Sequence, residues 1–193
     1  NKERYLAKFF EPNSENIKRE IAFYNYLKKC QIENVPEMVA FDINQNLLIL
    51  SFLEGAKITT LSNYDVSQCV EFIFTINDQS NEDKKILDKA GGSIAKYSDH
   101  FFSVRERIEY LLSSEINSEI ENEMYLFVKY NIMSKWDELY QDIDISFVSD
   151  LVLEVPTIVS PSDFGFHNVL KHKGKLFFFD FEYAGLDDRF KLF

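Results

Sequence analysis

Residues 160–185 read SPSDFGFHNVLKHKGKLFFFDFEYAG. Asn168 stands five positions after Asp163, and Asp180 stands twelve positions after Asn168. Between the last two lie a short apolar run (Val169, Leu170), a polar turn over residues 171–175 and a second apolar run over residues 176–179. Two apolar runs about a Gly-containing turn predict a β-hairpin. Asp163 then falls on a loop, and Asp180 is delivered at a strand end. Two carboxylates and one amide are thereby expected close together. Hard oxygen donors of this kind suit Mg2+ and the phosphates of a nucleotide.

Upstream, residues 5–10 form a short apolar strand with Lys8 inside it, and Glu11-Pro12-Asn13-Ser14 breaks it. Asn13 or Ser14 can cap a helix over about residues 15–29. Ile17, Ile21, Tyr24 and Leu27 recur there at spacings of four, three and three, one helical face. Glu20 lies beside that stripe, so its carboxylate can point inward. Lys28 and Lys29 suit the negative end of the helix dipole. Residues 35–42 read as a loop entering a strand, Asn44-Gln45-Asn46 as a turn, and residues 47–53 as a buried strand running into Glu54-Gly55.

From Leu61 the pattern turns helical. Helices are expected over about 65–77, 84–89, 101–112, 118–139 and 146–153, with a short strand over 155–159 feeding Ser160. The acidic positions Glu119, Glu121 and Glu123 read as a solvated face near a helix start.

The bulk numbers agree with a small globular protein. The 193 residues suit one domain or two small lobes, and 46% apolar content with 19 Phe supplies a core. The net charge of −11 leaves no basic stripe, which argues against nucleic acid as a partner. Cys30 and Cys69 lie far apart without metal-ligand spacing and read as free thiols of a reducing, cytoplasmic protein. No apolar run is long enough to span a membrane, and no signal peptide is visible. The chain starts at Asn1 without Met and stops at Phe193 within an apolar pattern, so further structure is expected on both sides.

Lys8 in a strand, Glu20 on the next helix, the strand leading into Ser51-Phe52-Leu53-Glu54-Gly55, and then Asp163, Asn168 and Asp180 in that order together resemble the protein-kinase-like fold. The likeness is nearest to the aminoglycoside phosphotransferase and choline kinase group. Asp163-Phe164-Gly165 spells the metal-binding tripeptide of protein kinases, but spacing assigns it otherwise. Asp163 through Asn168 matches the D-x-x-x-x-N of a catalytic loop, and the metal-binding aspartate after the hairpin is Asp180.

The resemblance implies an α+β, two-lobed architecture, with residues 1–55 a small nucleotide lobe and hinge and residues 56–193 a mainly helical lobe. It implies ATP and Mg2+ as cofactors and a hydroxyl of a sugar, aminoglycoside or amino alcohol as acceptor. Asp163 would orient the acceptor hydroxyl and take its proton. Asn168 and Asp180 would hold Mg2+. Lys8 would pair with the α and β phosphates, and Glu20 would hold Lys8. The backbones of Ser51 and Leu53 would face adenine.

Three departures stand beside this. Pro161-Ser162 replaces the His-Gly usual before the catalytic aspartate. No glycine-rich loop precedes Lys8. Asp187-Asp188-Arg189 stands where the group commonly shows Gly-Asp-Pro. They motivate a second reading, a nucleotide-binding pseudokinase acting as scaffold or regulator. A protein kinase is a third, but His-Arg-Asp is absent. Of the remaining polar residues, His167 is expected to pack or to meet the backbone, His100 and His172 to lie at the surface, and Glu182 and Asp188 to cap a helix rather than bind a second metal.

Overall fold

A computed structural model describes residues 3–12, 14–94, 96–142 and 157–189. The chain groups into two compact units, residues 1–93 with 156–193, and residues 94–155. The expected lobe boundary after Gly55 lies within the first. The helix expected over 146–153 falls outside the described residues.

The first unit opens with strand β1 (Tyr5–Phe9) and helix α1 (Asn16–Lys29). Strands β2 (Met38–Asp42) and β3 (Leu47–Ser51) follow. They form an antiparallel sheet in the order β1-β3-β2, with Lys8 opposite Leu48 and a bulge between Met38 and Ala40. Helix α1 starts where Ser14 Oγ accepts the Asn16 N–H at 3.2 Å. Its apolar stripe is buried as its spacing predicts: Ile17, Ile21, Tyr24 and Leu27 all lie in the core with Phe23 and Tyr26. The same face carries Glu20, which is fully buried.

Next come the two-residue strand β4 (Ala56–Lys57), helix α2 (Asn63–Asn77) and the single-turn helix α3 (Asn81–Lys84). Helix α3 corrects the sequence expectation of a helix over 84–89. Ser80 Oγ accepts the Asp83 N–H at 3.2 Å and starts the turn early, and Leu87 and Ala90 are buried without helical backbone. The unit resumes after Pro156 with β5 (Thr157–Ser160), a single 3-10 turn (Phe166–Asn168), β6 (Val169–His172), β7 (Lys175–Phe178) and β8 (Gly185–Asp188). The order β4-β6-β7 contains the expected hairpin, with Lys173 and Gly174 at its tip in left-handed conformations. Strand β8 pairs antiparallel with β5, and it puts Asp188, expected as a helix cap, into a strand.

Two amide residues of α2 and one from the loop before β2 fasten this region. Asn77 at the end of α2 both donates to Val159 O and accepts from Val159 N, each at 2.9 Å. Gln68 does the same for the hairpin tip, meeting Gly174 O at 3.1 Å and Leu176 N at 2.9 Å. Asn34 accepts the Phe178 N–H on its backbone carbonyl at 3.0 Å and donates side-chain Nδ2 to Leu176 O at 3.2 Å. Asp65, buried in the first turn of α2, meets Lys171 Nζ of β6 at 2.6 Å. The Lys171 hydrogen bond, and then those from Ser62, push the Asp65 carboxyl down to about 2. A depressed carboxyl stabilises the fold above its unfolded pKa, so this contribution is expected to be lost as the pH falls from about 4 toward 2.

Gly185 lets β8 approach residues 88–90 closely. A Cβ there would lie 2.5 Å from Asp88 O and 2.7 Å from Ala90 N, both backbone atoms that cannot turn aside. Gly185→Ala is therefore expected to cost about 1–3 kcal/mol, as other overpacked sites do, read from urea unfolding.

The second unit consists, in its described residues, of α4 (Tyr97–Ser113), α5 (Glu119–Phe127) and α6 (Ser134–Asp142). A π-helical segment, Val128–Met133, joins α5 to α6. The single helix expected over 118–139 is thus one helical run with a widened middle. Ile108 and Val128 are buried, and Arg105 meets Glu109 at 2.7 Å and Asp137 at 3.1 Å. Glu119 and Glu123 face solvent, as expected, and Ser118 Oγ caps α5 by accepting the Glu121 N–H. No described helix is long and apolar enough to cross a membrane.

Candidate active site

The dipeptide Asp-Phe occurs twice in the quoted stretch, and each copy uses its phenylalanine as an anchor. Phe164 stacks on Phe72 with ring centroids 5.6 Å apart and also meets Phe178 at 5.4 Å. Phe181 lies 5.0 Å from Phe23 and edge-on to Tyr24 at 5.5 Å. The two rings fix the two preceding aspartates from opposite ends of one aromatic cluster, since Phe72 also touches Phe181.

Around Asp163 the chain turns tightly. Phe164 N–H reaches Ser162 O at 2.8 Å, and Ser162 N–H reaches Ser160 Oγ at 3.0 Å. Ser162 holds φ at 66°, the left-handed region that glycine occupies freely. The serine that replaces the usual glycine thus keeps a glycine-like backbone, at a cost of about 1–2 kcal/mol. Ser162→Gly is expected to raise stability by about 0.5–1 kcal/mol after the extra freedom of glycine in the unfolded chain is offset. Thermal unfolding reads the effect as an upward shift.

Asn168 donates Nδ2 to Asp163 O at 3.0 Å and to Asp163 Oδ2 at 3.3 Å. Its amide nitrogen is thereby committed, and its amide oxygen is the atom left for a cation. His167 Nε2 sits 3.0 Å from Asp163 Oδ2. This corrects the expectation of simple packing or a backbone contact. A residue four after the aspartate, on a single 3-10 turn, can swing back to it, and the bare Gly165 leaves room, since a Cβ there would strike the imidazole. His100 and His172 are half-buried rather than fully exposed.

The second cluster centres on Lys8. Its Nζ lies 2.8 Å from Glu20 Oε2, 2.5 Å from Asp180 Oδ1 and 3.1 Å from Glu182 Oε2. Burial alone would lower the Lys8 pKa, but the Glu20 carboxylate and the hydrogen bonds to Asp180 and Glu20 outweigh it and hold it above the usual lysine range. Burial pushes the Glu20 carboxyl up, and Lys8 only partly opposes this. Glu20 also accepts the Phe181 N–H through Oε1 at 3.4 Å. Glu182 was expected to cap a helix; here it is a third carboxylate on Lys8. The sequence carries no local signal for that, since Asp180 is left-handed and Glu182 lies in the turn after it.

Lys8, Glu20 and Asp180 line one cavity of about 530 Å³. Its apolar lining includes Leu6, Leu50, Leu170 and Phe179, and Ser51, Phe52 and Leu53 border it. Volume and lining suit a flat aromatic ligand with a few polar anchors. Ser51 Oγ accepts the Glu37 N–H at 2.8 Å, and Phe52 N–H is taken by Arg4 O at 3.2 Å, while no described residue takes the Leu53 N–H. Arg4 lies over the Phe52 ring at 4.3 Å and meets Glu54 at 2.5 Å, a contact not legible in the sequence.

The two clusters are joined just past the end of β7, where Phe179 N–H reaches Asn168 O at 3.2 Å one residue before Asp180. Asp180 has φ at 69°, so the strand ends in a left-handed residue that turns its carboxylate toward Lys8. Three carboxylates against one ammonium leave local negative charge in excess. The carboxylates of Glu20, Asp180 and Glu182 lie close enough together to hold a metal ion, and hard oxygens of this kind suit a divalent cation of the Mg2+ type.

The fold is shared with solved phosphotransferase and kinase structures. APH(2'')-IIa in a ternary complex with streptomycin and ATP superposes with a TM-score of 0.58 at 18% identity, over 95% of this chain and 61% of that one. The AMP-bound spectinomycin phosphotransferase APH(9)-Ia gives 0.61 at 14% identity, over 98% and 62%. The choline kinase LicA from Streptococcus pneumoniae gives 0.54 at 18% identity, over 96% and 58%. The chain spans about three fifths of the length of these structures. No protein-family model matches the chain, and no curated protein matches it in sequence. At these identities the likeness establishes the α+β fold of small-molecule kinases.

Proposed function

We propose that this protein is an ATP- and Mg2+-dependent small-molecule kinase that transfers the γ-phosphoryl group to a hydroxyl of a sugar, aminoglycoside or amino alcohol. The observation that carries the reading is the convergence of Lys8, Glu20 and Asp180 on the cavity bordered by Ser51 and Leu53. The structural neighbours, which include a complex with ATP and another with AMP, are similar over nearly the whole chain.

In this reading residues 1–55 form the nucleotide lobe and hinge, and residues 56–193 carry the catalytic loop and metal site. The Ser51 carbonyl and the Leu53 N–H meet the adenine edge. Lys8, held by Glu20, presents its ammonium to the α and β phosphates. Asn168 and Asp180 hold Mg2+, with Glu182 adjacent. When bound, the ion neutralises phosphate charge that the apolar cavity alone could not tolerate. Asp163 orients the acceptor hydroxyl and takes its proton. The hydroxyl oxygen forms the new bond to the γ-phosphorus, the bond from that phosphorus to the β–γ bridging oxygen breaks, and ADP leaves. His167 and Asn168 fix the Asp163 carboxylate at the required orientation.

The deciding experiment is ADP production by the full chain with Mg·ATP across a panel of amino alcohols, sugars and aminoglycosides. Turnover on one acceptor class supports the kinase. Nucleotide binding without turnover on any acceptor favours the scaffold or regulator, and absence of nucleotide binding overturns both.

A further inference from the structure

Strand β7 has β6 along one edge, and among the described residues no strand covers the other. Leu176 and Phe178 are nevertheless 0% and 1% exposed, so the polar groups on that open edge cannot turn to water. A buried backbone N–H or C=O left alone is costly, and nearly all find a partner. Two amide residues supply the partners here. Gln68 of α2 accepts the Leu176 N–H on Oε1 at 2.9 Å and donates Nε2 to Gly174 O at 3.1 Å. Asn34 accepts the Phe178 N–H on its backbone carbonyl at 3.0 Å and donates side-chain Nδ2 to Leu176 O at 3.2 Å. The bonded residues alternate along β7, as they would against a neighbouring strand.

The two amides differ in what lies behind them. Gln68 holds the hairpin tip, the end of β7 far from Asp180. Asn34 holds the other end, where Phe178 stands two residues before Asp180. Asn34 also belongs to the connection between α1 and β2. Three residues on, Glu37 exchanges two hydrogen bonds with Ser51: its N–H reaches Ser51 Oγ and its carbonyl accepts the Ser51 N–H, each at 2.8 Å. Between Asn34 and Glu37 stands Pro36, buried and lining the same cavity as Ser51 and Asp180. Its ring fixes φ, and three residues of chain span at most about 11 Å. Residues 34–37 thus form a short, stiff spacer. One end is fastened to the strand that delivers Asp180, the other to Ser51.

We propose that Asn34 is a positioning residue for Asp180: acting through β7, it sets how far the Asp180 carboxylate stands from Ser51, and so matches the cavity to a nucleotide that carries a divalent cation. The inference rests on the reading of this cavity as a nucleotide site and of Asp180 as a metal ligand. The base of a nucleotide and its metal-bearing phosphates are joined by a fixed number of bonds. Both ends are met together only where the protein holds its two contact points at a matching separation. Gln68 has no tie to Ser51 among its bonds, so its hold on the hairpin tip serves the fold alone.

Asn34→Ala removes Nδ2 and keeps the backbone carbonyl that meets Phe178. Two quantities are read on the full chain: the unfolding temperature, and ADP affinity by titration calorimetry in EDTA and in excess Mg2+. Gln68→Ala is the comparison, since it too breaks side-chain bonds to this edge. Both variants are expected to unfold at a lower temperature than the wild type. In Asn34→Ala the gain in ADP affinity that Mg2+ brings is expected to fall about fivefold, the size of one ordinary hydrogen bond, with affinity in EDTA within about twofold of the wild type. In Gln68→Ala the gain is expected to persist. An unchanged gain in Asn34→Ala overturns the proposal. So does an equal loss in both variants, which would mean that the edge bonds serve only the stability of the hairpin. Asn34→Asp keeps the size and loses the donor, and it makes the same comparison if Asn34→Ala does not fold. Wild-type protein that binds ADP with no gain from Mg2+ overturns this inference and leaves the nucleotide site standing. Wild-type protein that does not bind ADP overturns the kinase reading and this inference with it, and that is seen before any variant is made.

Discussion

Lys8→Met is expected to lower stability by about 3 kcal/mol at neutral pH and to weaken nucleotide binding. The larger part of the stability loss comes from Glu20. That carboxylate is fully buried, and Lys8 is its only cationic partner among the described residues. Removing one partner of a buried pair leaves an uncompensated charge, which generally costs about 3–5 kcal/mol. The lower end applies because the Lys8 side chain is itself 21% exposed. Methionine matches the lysine stem in length, so packing against the cavity is largely kept. The pH dependence carries the sign of the effect. Burial already raises the Glu20 pKa, and loss of Lys8 removes what opposes that rise. A carboxyl whose folded pKa exceeds its unfolded value contributes stability that is fully present below the unfolded pKa and lost as the pH rises through the folded one. The gap between variant and wild type should therefore be small in acid and open as the pH rises. Urea unfolding at several pH values reads this directly. A gap independent of pH would mean that Glu20 is not the group responsible. Lys8→Met combined with Glu20→Gln should recover part of the loss, since neutral glutamine leaves no buried charge behind.

The same Lys8–Glu20 pair shows how much of the site is legible in a sequence. A lysine in an apolar strand and a glutamate beside the buried stripe of the next helix are each ambiguous. Joined with a hairpin of measured length between Asn168 and Asp180, they are not, because a hairpin fixes register and a strand end fixes where Asp180 emerges. The spacing also separated the two Asp-Phe dipeptides. Phe164 and Phe181 turn out to anchor the two aspartates in one aromatic cluster. The parts that were not legible depend on tertiary contacts. Glu182 meets Lys8 across 174 positions of chain, a contact that no local pattern encodes. Strand β8 reads Gly-Leu-Asp-Asp and lacks apolar alternation; it is a strand because it pairs with β5 and because Gly185 admits residues 88–90. The π-helical segment Val128–Met133 inserts no Gly or Pro, so a helical period runs through it unmarked. The early start of α3 rests on one serine cap amid several polar candidates.

Asp163→Asn is expected to reduce turnover by about 10²–10⁴-fold while leaving nucleotide affinity within about twofold. The substitution is nearly isosteric. Asparagine retains an oxygen that can accept from Asn168 Nδ2 and face His167, so the loop held by Ser160 and by Phe164 on Phe72 should keep its form. Stability should change little, because the Asp163 side chain is 52% exposed and makes no ion pair among the described residues apart from the contact with His167. What is lost is the capacity to take a proton. In the proposed reaction that capacity matters only as the acceptor oxygen closes on phosphorus, so the loss should appear in kcat and not in the KM for ATP. A hundredfold loss corresponds to about 2.7 kcal/mol of barrier. His167→Ala separates orientation from chemistry. The imidazole contacts one Asp163 oxygen, while Asn168 holds the same carboxylate independently. Its removal should therefore lower kcat less than tenfold, a smaller effect than loss of the carboxylate itself. If Asp163→Asn kept kcat within tenfold of the wild type, Asp163 would not be the base, and the assignment drawn from the D-x-x-x-x-N spacing would fail although the fold remained that of a kinase. If nucleotide affinity fell together with kcat, the loop would be supporting the cavity, and the assignment of Asp163 to the chemical step alone would be wrong.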